Sequence, residues 1–325
     1  MTGDMDRRDF LRKSVAASTG AALGMSAAAD GATKSSGPLS ETGKNGMPMG
    51  RIGDVRMSRL ISGGNLIGGW SHSRDLRYVS QLMLHYNTPE KIMDTMEIME
   101  QQGINTIIAD LSKPHLMDIM DRYWNERGGS IQWITQAKAS VGDLTGDIKR
   151  AVDHGACAAY MHGGLTDRWV MQDRLELLGK CVDYIKKQGI PGGIGAHSLK
   201  TVMATEAGGL DPDFYMKTIH HKNYWSAQRP DQEAPVIKNR ADNYWARTPE
   251  RTIEFMRNLG KPWIGFKVLA AGAIHPNDGF QYAFESGADF ICVGMFDWQV
   301  KEDVKIAKRV VRKVAQSGRP RAWYA

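Results

Sequence analysis

The feature that most constrains this chain is a repeat. From residue 57 to the C-terminus, short apolar, β-prone runs alternate with segments of helical period. The runs are Met57–Gly63, Thr106–Asp110, Ile131–Lys138, Ala156–His162, Gly192–His197, Phe214–His220, Trp263–Leu269 and Asp289–Gly294. The helical segments are Pro89–Gln102, His115–Glu126, Leu144–His154, Asp173–Gln188, Leu199–Glu206, Pro249–Leu259, Gly279–Glu285 and Lys301–Ala315. Their apolar residues recur at the spacing of one helix face. Thr88-Pro89 and Thr248-Pro249 each set a capping hydroxyl before a proline at the first helical position. Gly103, Gly155, Gly189, Gly260 and Gly287 each follow a helix and stand where a left-handed C-terminal cap is expected.

Strands that alternate with helices must lie parallel, with the helices packed outside the sheet. Eight units between Arg51 and Ala325 suit a closed barrel better than an open, doubly wound sheet, which more often has fewer strands. The expected fold is therefore α/β, a closed eight-stranded parallel β/α barrel over residues 51–325. A content of 42% hydrophobic and 24% charged residues supplies one large core. Gly63-Gly64-Asn65-Leu66-Ile67-Gly68-Gly69 lacks the Gly-x-Gly-x-x-Gly spacing, which argues against a Rossmann-type nucleotide site. The formal charge of +6 is small and dispersed, with no basic run longer than Lys186-Lys187 or Arg309 to Lys313. Nucleic acid is not an expected partner.

Asp6-Arg7-Arg8-Asp9-Phe10-Leu11-Arg12-Lys13 precedes a mildly apolar stretch, Ser14 to Ala29, that ends in Ser26-Ala27-Ala28-Ala29. This resembles a twin-arginine export signal, and it implies a periplasmic or otherwise exported protein that meets the twin-arginine translocase after folding. The stretch is too short and too weakly apolar for a stable membrane span. Residues 1–29 are thus the expected signal peptide. Residues 30–50, rich in Gly, Ser, Thr, Lys and Pro, are the expected flexible linker. Cys157, Cys181 and Cys292 fall in apolar runs and read as buried hydrophobes, with no disulfide and no cysteine-bound metal.

A β/α barrel places its chemistry at the C-terminal ends of its strands. Here those ends are polar: Asn65, Asp110, Lys138, His162, His197, His220 with His221, Lys267, and Asp297 just past the eighth run. Such a set costs desolvation energy at a barrel mouth unless something binds there. The long loops after the first and sixth strands carry Trp70, His72, Tyr78, His85 and Tyr86, then Asn223-Tyr224-Trp225 and Asn243-Tyr244-Trp245. These aromatics suit stacking on a sugar ring or a flat cofactor.

The segments Arg51 to Leu60 with Gly63-Gly64-Asn65, Glu100 to Ile107 with Asp110, Ile134 to Lys138, Ala159 to His162, and Gly294 with Gln299 to Val304 resemble the aldo-keto reductases. The resemblance implies an oxidoreductase that passes hydride between NAD or NADP and a carbonyl or sugar. Asp110, Lys138 and His162 would take the family's catalytic positions, and Gly294 and Gln299 would lie at the cofactor phosphate. Where the family carries its acidic Tyr, five residues after the Asp, this chain has His115. The proton donor would then be His115, Tyr78 or Tyr224. Asn65, His197 and Lys267, at strand ends, are further candidates for cofactor binding.

A second reading draws on the same strand ends. His162, His197, His220 and Asp297 could hold Zn, Mn or Fe in a carbohydrate isomerase, epimerase, lyase or hydrolase. The third is a non-catalytic binding protein, suggested by the missing family Tyr.

Overall fold

The computed structural model describes residues 41–73, 76, 78–110, 114–229 and 245–324. The predicted signal peptide, residues 30–40 of the predicted linker, and Asn243 and Tyr244 of the predicted loop lie outside the described residues.

The chain enters through an antiparallel hairpin of β1 (Met49–Ile52) and β2 (Val55–Ser58). Eight parallel strands follow: β3 (Leu60–Gly63), β4 (Thr106–Ala109), β5 (Gln132–Ala137), β6 (Ala158–Met161), β7 (Gly192–Ala196), β8 (Phe214–Thr218), β9 (Trp263–Phe266) and β10 (Phe290–Val293). They close in sequence order, with β10 pairing back onto β3. The expected eight-stranded barrel is the observed fold.

The described helices are α1 (Tyr78–Tyr86), α2 (Pro89–Gln102), α3 (Pro114–Glu126), α4 (Gly146–Asp153), α5 (Gly163–Met171), α6 (Leu175–Lys187), α7 (Leu199–Ala207), α8 (Pro249–Arg257), α9 (Pro276–Glu285) and α10 (Asp297–Ser317). Eight of them match the helical segments read from the sequence, whereas α1 and α5 have no counterpart there. No helix among the described residues is long and apolar enough to cross a membrane.

Local signals account for most of the boundaries. Thr88 accepts a hydrogen bond from Lys91 N–H at 3.2 Å, and α2 ends on Gly103 in the left-handed region (φ 96°). Two expected caps are corrected. Thr248 makes no side-chain cap, and α8 ends on Asn258 in a right-handed conformation, so Gly260 does not adopt a left-handed cap.

Inside the barrel, Ile61, Ile108, Ile134, Tyr160, Phe214 and Phe290 form one cluster with Ile52 and Met57 of the hairpin, which closes the N-terminal end. Phe214 is fully buried because β7 offers it glycine: a Cβ at Gly193 would stand 2.5 Å from its ring. The linker boundary also shifts, since Met47 and Met49, within the expected linker, are buried. The first predicted strand divides at Arg59, whose N–H donates to Pro48 O, into β2 of the hairpin and β3 of the barrel. Cys181 is fully buried and Cys157 and Cys292 are partly so; all three are free thiols.

Beneath the barrel, the last described segment is held by charge. Arg321 reaches the Asp289 carboxylate at 2.9 Å and donates to the carbonyls of Leu259, Lys261 and Gly287. Arg319 and Arg59 stack on Trp323, with guanidinium-to-ring distances of 3.7 and 4.3 Å. Arg59 also donates to Asp289 O, which ties the start of the first barrel strand to the start of the last.

Candidate active site

Strand register assembles the mouth. Ala109 pairs with Thr135 and Ala137 with Met161, so Asp110, Lys138 and His162, each one residue beyond its strand, are carried to the same end of neighbouring strands. Lys138 Nζ donates to Asp110 Oδ2 at 2.9 Å. The Asp110 side chain is 8% exposed and that of Lys138 38%, so the carboxylate is the inner member of the pair. Trp70, from the loop after β3, sets its ring 6.0 Å from the Lys138 ammonium. Burial, with the charges of His197 and Lys138, pushes His162 down to about 4, so its imidazole is neutral at pH 7.

His197 follows β7 and is buried. Its ring Nδ1–H donates to Asp167 Oδ2 at 3.0 Å, and its backbone N–H reaches the same oxygen at 3.0 Å. The other carboxylate oxygen accepts from Thr201 Oγ1–H at 2.6 Å and from Ser198 N–H at 3.2 Å. Burial raises the Asp167 carboxyl, but the bonds from His197 and Thr201 outweigh it and hold Asp167 below the usual range. Burial likewise lowers His197 against the pull of Asp167. With Nδ1–H fixed by a carboxylate, Nε2 becomes the basic nitrogen of the ring. The close fit needs a glycine in α5, because a Cβ at Gly163 would stand 2.9 Å from His197 Cε1.

Two lysines stand near these imidazoles. Lys217, inside β8 and 2% exposed, donates to His197 O at 2.9 Å and Thr218 O at 3.0 Å; burial lowers it to about 8. Lys267 follows β9 in the left-handed region (φ 58°), half-buried, and burial lowers it to about 7. Its charge acts on His72, His162, His197 and His220. Asn65 donates from Nδ2 to His72 Nε2 at 2.8 Å, which fixes His72 at the mouth.

The structure separates the residues of the metal reading. His220 Nδ1–H donates to Lys267 O at 2.9 Å, while its Nε2 accepts from Ala246 N–H at 3.1 Å and Tyr224 O–H at 3.2 Å. Both ring nitrogens hold the loop in place. Asp297 joins a different network, accepting from Tyr86 O–H at 2.6 Å and Lys91 Nζ at 3.1 Å. Among the described residues, no group of three or more His, Cys, Asp or Glu side chains is placed to hold a metal ion. The set His162, His197, His220 and Asp297 is therefore not a metal centre.

The start of α10 does not fit a cofactor phosphate either. Gln299 Oε1 accepts from Phe296 N–H at 3.0 Å, so Gln299 caps its own helix. Asp297 puts a carboxylate in the first turn, where a phosphate would need the positive end of the helix dipole. Gly294 is glycine for packing, because a Cβ there would stand 3.0 Å from Leu66 Cγ.

Of the expected site residues, Asp110, Lys138, His162, His197 and Lys267 reach the mouth, and Asn65 supports it through His72. His115 lies in α3, and its side chain is outside the described residues. Sequence reasoning missed Asp167 and Lys217, and read His72 only as a loop residue. The one available signal for Lys217 was a charge inside an apolar run; for Asp167 no local spacing existed.

The mouth is that of a β/α-barrel protein whose polar strand ends converge on a few imidazoles, two lysines and an Asp–Lys pair. Solved structures with this fold include two described as candidate aldo-keto reductases from Pseudomonas aeruginosa. Each shares 13% identity over 84% of this chain, covering 98% and 99% of the matched chains with TM-scores of 0.58 and 0.57. A glycerol dehydrogenase from Gluconobacter oxydans is similar at 11% identity over 83% of this chain and 94% of its own, with a TM-score of 0.50. At such identities the likeness establishes the barrel. No family model matches the sequence, and no curated protein does.

Proposed function

We propose that the barrel mouth is the active site of an exported oxidoreductase of aldo-keto reductase type, acting on the carbonyl of a small polar molecule such as a sugar. The observation that carries this reading is the 2.9 Å Lys138–Asp110 pair, with His162 carried by the adjoining strand. Asp110 holds the Lys138 ammonium in place, and the cation favours the negative charge that develops on a carbonyl oxygen. His162, neutral at pH 7, is suited to donating a hydrogen bond that orients that oxygen. Trp70 offers an apolar face beside Lys138 for the substrate's carbon skeleton.

NAD or NADP is the hydride carrier that this reading calls for. Since the start of α10 does not suit a phosphate, the carrier must be held by other residues. The protein-borne part of the chemistry is carbonyl polarisation by Lys138 and His162.

The test is oxidation of NADH or NADPH by the full chain across a panel of sugars, hydroxyketones and aldehydes. Carbonyl-dependent turnover that falls about a hundredfold or more in Lys138→Met, without a matching change in thermal stability, supports the reading. Absence of both binding and oxidation of NADH and NADPH would overturn it.

A further inference from the structure

The Lys138–Asp110 pair leaves the other side of the mouth unexplained. There, Lys267 stands beyond β9 in the left-handed region (φ 58°), a backbone conformation that is strained for a non-glycine residue. Two contacts fix it. His220 Nδ1–H holds its carbonyl at 2.9 Å, and the preceding residue, Phe266, packs its ring 5.3 Å from the ring of His197. The side chain is half-buried, and its charge is felt by imidazoles from four separate elements: the loop after β3 and the ends of β6, β7 and β8. Strain that fixes one side chain among several catalytic-type groups is a mark of function.

We propose that Lys267 forms an imine with the carbonyl substrate, and that His197, oriented by Asp167, then moves a proton at the adjacent carbon. The proposal rests on the carbonyl reading above and adds a covalent activity to it. Burial supports it, because an ammonium lowered to about 7 supplies neutral amine at neutral pH.

The step balances without a co-reactant. The neutral Nζ attacks the carbonyl carbon, and the C=O π pair moves to oxygen. That oxygen takes up two protons, those given up by the lysine nitrogen as ammonium turns to iminium, and leaves as water. The net change is ammonium plus carbonyl to iminium plus water. The iminium draws electrons from the neighbouring carbon, so His197 Nε2 can remove a proton there and leave an enamine. Asp167 stabilises the imidazolium that forms. Return of the proton to the same carbon restores the iminium, and hydrolysis releases the carbonyl compound with its α-hydrogen exchanged.

The experiment treats the full chain with dihydroxyacetone, and separately with pyruvate, then with sodium borohydride, in the absence of any nicotinamide. Peptide mass mapping is expected to find the reduced adduct on Lys267, and Lys267→Arg is expected to lose it while keeping the circular dichroism of the parent. In heavy water without borohydride, the parent should exchange α-hydrogens of the bound probe, and Lys267→Arg should not. Absence of an adduct with both probes, or an adduct spread over surface lysines and unchanged in Lys267→Arg, overturns the proposal. Because no nicotinamide is present, this outcome is independent of the reductase assay, and each can fail alone.

Discussion

One oxygen of Asp167 receives both N–H groups of His197, the ring Nδ1–H and the backbone N–H, each at 3.0 Å. A single buried carboxylate thus fixes the tautomer of an imidazole and the end of the strand that carries it.

Replacing this carboxylate by an amide separates its roles. In Asp167→Asn the amide can keep the Thr201 bond but turns a donor toward one of its former partners. The α-hydrogen exchange assigned to His197 is expected to slow about a hundred- to ten-thousand-fold, as when a buried carboxylate behind a catalytic histidine is lost. The exchange rate in heavy water checks this; an unchanged rate would remove His197 from that proton transfer.

Acid should loosen the fold before it titrates most carboxylates. Burial lowers His162 to about 4 and His220 to about 3, and lowers His72 and His197 as well. Each native value lies below that of an unfolded histidine, near 6.5. Below that pH the unfolded chain binds protons that the native chain refuses, so stability falls with falling pH, by about 1.4 kcal/mol per unit per histidine. Asp303, raised by burial to about 6, acts in the opposite sense and offsets one histidine between pH 6 and 4. Urea denaturation at pH 7, 6 and 5 should show this slope, made shallower by His220→Asn and steeper by Asp303→Asn. Equal stability at all three values would contradict the assignment.

Under the barrel, Arg321→Met leaves the fully buried Asp289 carboxylate with Arg319 at 3.4 Å and the N–H groups of Trp263 and Tyr324, and it takes the side-chain donor from the Leu259 and Lys261 carbonyls. Removing one partner of such a pair is expected to cost about 3–5 kcal/mol. The shift in denaturation midpoint measures it, and a loss below about 1 kcal/mol would mean that the remaining arginines rearrange to cover Asp289.

Export is tested apart from the barrel. Replacing Arg7 and Arg8 together by Lys should leave the protein in the cytoplasm of its host, because paired guanidinium groups are what a twin-arginine translocase reads. Cell fractionation and immunoblotting decide it, and an undiminished periplasmic yield would refute the signal.

The barrel was legible because each repeat states its own period and caps, and because polar residues end apolar runs at one face. That logic placed Asp110, Lys138, His162, His197 and Lys267 correctly at strand ends. It could not place Asp167, which lies on α5, a helix that begins directly after β6 at Gly163-Gly164 and so looks like a turn. Its partner His197 is 30 residues away, so no spacing betrays the pair. Asp297 shows the opposite failure. Its position beyond the eighth strand suggested a ligand, but Tyr86 and Lys91, more than 200 residues earlier, claim it. Long-range hydrogen bonds decided both cases, and a periodicity does not record them.

The pairing of β10 with β3 bears on how this chain comes to exist. Until Phe290–Val293 has been synthesised, a nascent chain holds β3 and β9 as two open edges, each with a row of unsatisfied backbone groups. Closure joins Arg59 to Asp289 across 230 residues, a loop that must be gathered before those contacts repay its entropy. Any product stopped short of the tenth strand is therefore sticky along both borders, and the barrel is reached late and all at once.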